Sequence, residues 1–158
     1  MKRKATRLAG MTLLLTSALY NCGPSRQETM TREAYKALNK IKSAIEIGVN
    51  YQKYMELVVD AKATIDNIAP ALGDPYIKGN ITKALGYYAD ALTAWNAKIQ
   101  GKSFVHVSPI EGDLSIVSED KSDKVMQVDF YMQAMWDMAQ TWVKATATLM
   151  ERKGWELY

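Results

Sequence analysis

The sequence predicts an all-α protein, an antiparallel bundle of three long helices. Two observations carry that expectation. Apolar and small residues recur at three- and four-residue spacing through most of the chain after Thr31. Helix-stop and helix-start residues then stand together at Leu72-Gly73-Asp74-Pro75. A short β-prone insert, residues 102–121, separates the last two helices.

The first helix is expected from Thr31, a plausible N-cap, with Glu33 in the first turn, where the helix dipole favours a carboxylate. Its stripe runs Ala37, Ile41, Ala44, Gly48, Tyr51, Met55, Val58, Ile65, Ala69 and Leu72, and no proline interrupts it before Pro70. It reads as one long helix, or as two if it breaks near Gly48, which would make four helices. Gly73 lies past its end, Asp74 caps the next helix and Pro75 takes its first position, where the missing N–H costs nothing.

The second helix carries Ile77, Ile81, Leu85, Tyr88, Leu92, Trp95 and Ile99 on one stripe and ends at Gly101. The glycines inside it, Gly79 and Gly86, are read as close-packing positions. The third begins near Ser122, with Val125, Val128, Met132, Met135, Ala139, Trp142, Thr146 and Leu149 as its stripe. In the insert, Phe104–Val107 and Leu114–Val117 are short β-prone runs around turn residues, read as a small hairpin or two extended arms. The second helix is too short to cover the start of an unbroken first one, so the insert is expected to pack its Phe104 and Val107 over Ile41 and Ile45. The turn at Pro70–Tyr76 would then be the bundle's free end, and the tether would lie beside the insert.

The first 22 residues form a separate unit. Met1–Arg7 is basic, Leu8–Leu19 is mostly apolar, and a polar break follows. About a dozen apolar residues are too few to span a bilayer core of about 30 Å, so the segment reads as an export signal. Leu19-Tyr20-Asn21-Cys22 resembles a bacterial lipobox, with Tyr20 and Asn21 where that family uses smaller residues. The resemblance implies that Cys22, the one cysteine of the chain, becomes a lipidated first residue, bearing palmitate-type acyl chains that anchor the protein to a membrane. Thr16-Ser17-Ala18 is the competing ordinary cleavage site. The division expected is residues 1–21 as signal peptide, 22–30 as lipidation site and tether, and 31–158 as the bundle with its insert. A single cysteine leaves no intrachain disulfide, so stability must come from packing.

Composition narrows the function. Four of the 20 basic residues lie in the first seven positions, and without them basic residues no longer outnumber the 17 acidic ones. The domain therefore has no charge excess for nucleic-acid binding. One histidine, His106, is present, and no helix carries a Glu-x-x-His pair. The alternation Val105-His106-Val107 puts His106 on the solvent side of a strand. Asp60, Asp66, Asp90, Asp129 and Asp137 lie mostly off the apolar stripes; Asp129 and Asp137 flank the densest aromatic and methionine region, where a buried carboxylate would be of interest. Met132, Met135 and Met138 could offer thioethers to copper(I), but bundle-core filling explains them more simply.

Tyr54, Tyr87, Tyr131 and Trp136 lie beside the stripes and would either widen the core or form an exposed patch. The expectation from the sequence is a non-catalytic, exported, membrane-anchored scaffold or protein-interaction module of the bacterial cell envelope, without cofactor or metal. The alternative is a small-ligand- or metal-binding bundle. The residues for a ligand or partner surface are Tyr88, Trp95, Met132, Met135, Trp136 and Trp142.

Overall fold

The computed structural model describes residues 24–110, 113–122 and 124–157. The signal and lipidation readings, with Cys22, lie outside these residues. Four helices and a three-stranded antiparallel sheet follow in the order α1 (Arg26–Ile47), α2 (Tyr51–Ile68), α3 (Pro75–Ile99), β1 (Phe104–Ile110), β2 (Asp113–Ile116), β3 (Lys124–Gln127) and α4 (Val128–Arg152). The protein is mainly helical but not purely α, and the described residues form four long helices instead of three.

The break falls at Gly48, the alternative position. Gly48 adopts φ of 84° and its N–H closes on the Ile45 carbonyl at 3.1 Å, ending α1. An L side chain rarely adopts that φ, so glycine serves here as the helix stop. Asn50 then caps α2, accepting from the Lys53 N–H at 2.9 Å. The periodicity ran through this turn because Ala44, Gly48 and Tyr51 keep helical spacing across it.

Helix α1 also starts earlier than expected. Ser25 accepts from the Glu28 N–H at 3.1 Å, and Thr31 is buried inside the helix. Residues 26–30, read from sequence as tether, are therefore helical. At the α2–α3 turn the sequence reading holds: Asp74 accepts from the Tyr76 and Ile77 N–H groups at 2.9 and 3.1 Å, and Pro75 opens α3.

The break alters which ends meet. Gln27, at the start of α1, donates to the Ala71 carbonyl at 2.8 Å and accepts from the Gly73 N–H at 2.8 Å. Lys153, just past α4, pairs with Asp74 at 3.0 Å. Both bundle termini thus gather at the 70–75 turn, and the sheet sits at the far end of α3 and α4. The expected cover of Ile41 and Ile45 by Phe104 and Val107 does not form. Ile41 is fully buried among the helices, while Phe104 is 53% exposed. A first helix broken at Gly48 has no overhang to cover, so the insert packs on α3 and α4 instead.

In the sheet, β1 is central, pairing Val107 with Ile116 on β2 and His106 with Val125 on β3. Val105 and Val107 are buried. By strand alternation Phe104, His106 and Val125 share the outer face, as expected for His106. Strand β3 was not foreseen: Lys124–Gln127 was absorbed into the third helix's stripe, yet its Val125 is exposed and α4 begins only at Val128. The Tyr131 hydroxyl donates to the Leu114 carbonyl at 3.0 Å, tying α4 to the sheet.

The core is continuous from Ala34, Leu38 and Ile41 of α1 through Tyr54, Val58 and Ile65 of α2 to the inner faces of α3 and α4. Gly79 and Gly86 do not mark close packing, because a Cβ at either would meet nothing within 4 Å. Among the described residues no helix is long and apolar enough to cross a membrane.

Candidate functional site

The six residues expected to form a ligand or partner surface separate into three environments. Tyr88, Met132 and Met135 are buried core residues. Trp95 and Trp136 are half-buried and join Tyr54 in an aromatic cluster between α2, α3 and α4. Their ring centroids are 5.7 Å apart, and Tyr54 lies 5.4 Å from Trp95 and 5.8 Å from Trp136. Tyr51 extends the cluster, edge-on to Trp95 at 5.9 Å. Trp142 instead meets Lys83, whose ammonium stands 4.6 Å above its ring.

Polar groups stitch the cluster shut. The Trp136 indole N–H donates to the Tyr54 hydroxyl at 3.0 Å, which donates to the Tyr88 carbonyl at 2.9 Å. Burial pushes the Tyr54 hydroxyl far above the ordinary phenol range, partly opposed by the bond from Trp136. Burial likewise raises Tyr88, with the Glu46 carboxylate adding to it, and Tyr131, where Asp90 adds. All three phenols are neutral at physiological pH, and those of Tyr54 and Tyr131 donate hydrogen bonds. The Tyr88 hydroxyl and the Trp142 indole nitrogen are buried without a hydrogen-bond partner among the described residues. Tightly packed rings with satisfied linking bonds make this region a structural core, and Tyr54, read as a flanking aromatic, is its centre.

The residues weighed for chemistry are not assembled. Asp129 and Asp137 are exposed; Asp129 pairs with Lys98 at 2.6 Å and Asp137 accepts from Gln133 at 3.0 Å. Met132 and Met135 point into the core while Met138 is 40% exposed, so the three thioethers do not converge. Among the described residues no group of three His, Cys, Asp or Glu side chains could hold a metal ion.

An apolar concavity lies elsewhere on the surface. A groove of about 540 Å³ runs between α1 and α2, with Tyr35, Ala44, Ile47, Leu57 and Leu157 as its apolar lining. Lys36, Lys40 and Lys53 border it, and none of its ten lining residues is a carboxylate. Lys36, Lys40, Ala44 and Ile47 follow one another at helical spacing on α1, one face round from the core positions Leu38 and Ile41. The sequence carried that signal, but the stripe taken for the core included Ala44 and so hid it. The segment Met55–Val59, apolar except for Glu56 and wider than a bundle seam, was the matching signal on α2, and it supplies Leu57.

No protein family, curated protein or solved structure matches the chain.

Proposed function

We propose that the protein is a non-catalytic binding module of the bacterial cell envelope, exported by its N-terminal segment, anchored through lipidated Cys22, and using the α1–α2 groove as its binding site. The observation that carries this reading is the contrast between a filled core and an open apolar groove. The aromatic cluster at Tyr54, Trp95 and Trp136 is closed by its own hydrogen bonds, whereas the groove's volume of about 540 Å³ falls in the range of small-molecule sites, about 300–1,000 Å³. Weight thus moves from the scaffold reading toward ligand binding, at a place other than the cavity first considered.

The anchor and the groove are compatible in space. Chain entry at Ser25 lies at the 70–75 end, so an anchored molecule would stand on that end with its sheet held away from the lipid. The groove begins near Tyr35, two to three turns above the start of α1.

The test is photo-crosslinking in cells, with benzoylphenylalanine in place of Ser43 in the groove or Phe104 on the outer sheet face. A small-molecule adduct at Ser43, read by intact-protein mass spectrometry, is the expected outcome. A protein adduct at Phe104 with nothing at Ser43 would return the function to the scaffold reading.

A further inference from the structure

We infer that the α1–α2 groove binds a single-chain anionic amphiphile of the fatty-acid class, its head group at Lys36 and Lys40 and its acyl chain along the groove toward Ile47. The inference rests on the groove being the binding site and adds the chemistry of its occupant.

Shape comes first. The lining extends along α1 from Tyr35 to Ile47, about 18 Å at about 1.5 Å per residue. That length suits an extended hydrocarbon chain. Ile47 is 86% exposed at one end of it, a large apolar side chain left in water.

Charge comes second. Lys36 and Lys40 pair with no carboxylate among the described residues, while Lys53 also reaches Glu56 at 3.3 Å. Two free ammonium groups one helical turn apart on the lip of an apolar trough favour an anionic head over a neutral or cationic one. The same lysines argue against a second copy of this chain. A two-fold contact would set both lysine borders against each other.

The test uses the full chain and one probe, 11-(dansylamino)undecanoic acid, with its uncharged methyl ester beside it, followed by fluorescence. Ser43, Lys36 and Lys40 are exposed, so substitutions there should leave the fold intact, which circular dichroism checks. The wild type should bind the acid saturably, one per chain. Ser43→Trp, which obstructs the groove, should weaken acid and ester alike by about tenfold or more. The Lys36→Glu/Lys40→Glu variant should weaken the acid by about tenfold and leave the ester nearly unchanged.

Several results would overturn the inference. Equal binding of acid and ester, unaffected by charge reversal but lost in Ser43→Trp, would remove the anionic head and leave the groove as the site. Binding indifferent to Ser43→Trp would remove the groove as well. Binding to anionic phospholipid vesicles without binding of the dispersed probe would make this face a membrane contact. Displacement of the probe by an acidic amphipathic peptide but by no fatty acid would make it a helix-docking groove.

Discussion

The indole N–H of Trp136 meets the hydroxyl of Tyr54 at 3.0 Å, although the two residues are 82 positions apart. The same hydroxyl donates to the Tyr88 carbonyl on α3 at 2.9 Å. One phenol therefore joins three helices, and the rings of Tyr54, Trp95 and Trp136 close around it. A hydroxyl that both donates and accepts inside an apolar cluster is stronger than in water, and costly to remove.

This arrangement separates two tyrosines of similar burial. Tyr54→Phe leaves the Trp136 indole N–H without its acceptor and removes the second bond to the Tyr88 carbonyl, and should cost about 1–3 kcal/mol in urea unfolding. Tyr88→Phe removes a hydroxyl that has no partner among the described residues, and should change stability by less than about 1 kcal/mol, in either direction. Equal losses in the two variants would contradict the bond geometry.

Two glycines should respond oppositely to alanine. Gly48 holds φ of 84° with open space around it, so the effect of a Cβ there is conformational. Gly48→Ala should lower stability by about 1 kcal/mol. Gly86 lies exposed in mid-α3 with nothing within 4 Å of a Cβ, and Gly86→Ala should raise stability by about 0.5–1 kcal/mol. Thermal unfolding of both variants reads the two signs.

Asp74 makes the base of the bundle pH-sensitive. The Ile77 N–H, then Lys153, hold its carboxyl below the usual carboxylate range. A depressed folded-state pKa adds stability that is present above the unfolded value, about 3.9, and is lost as pH falls through the folded value. Asp74→Ala should cost about 0.5–2 kcal/mol at pH 7. The gap from wild type should shrink below about pH 4 as the carboxylate is protonated. Added salt at neutral pH should narrow it only in part, by screening Lys153 while the two backbone bonds persist.

The anchor is tested in cells. Labelling with an alkyne-bearing palmitate should mark the wild type and not Cys22→Ser, and the variant should move from the membrane to the soluble fraction. A wild-type protein that carries no label and begins at Leu19 would support the ordinary cleavage site instead.

Local patterns in the sequence determined the start of α3, because Asp74 and Pro75 act through their own side chain and ring on neighbouring backbone. They determined the helical character of most of the chain, the inward Val105 and Val107 and the outward His106, since periods of 3.6 and 2 are properties of short segments. What the pattern could not decide was continuity and partnership. Gly48 was compatible with a helix stripe or a helix stop, and the packing of α1 on α2 selects the stop; that choice moved the start of α1 to the 70–75 end and left the insert nothing to cover. Lys124–Gln127 became a strand because β1 offered it an edge, a contact formed about twenty residues away. Tyr54 became the hub of the core because α3 and α4 present Tyr88 and Trp136 to it. The groove, too, exists only once two helices lie side by side: Lys36, Lys40 and Leu57 are unremarkable surface residues until the turn at Gly48 sets α2 against α1.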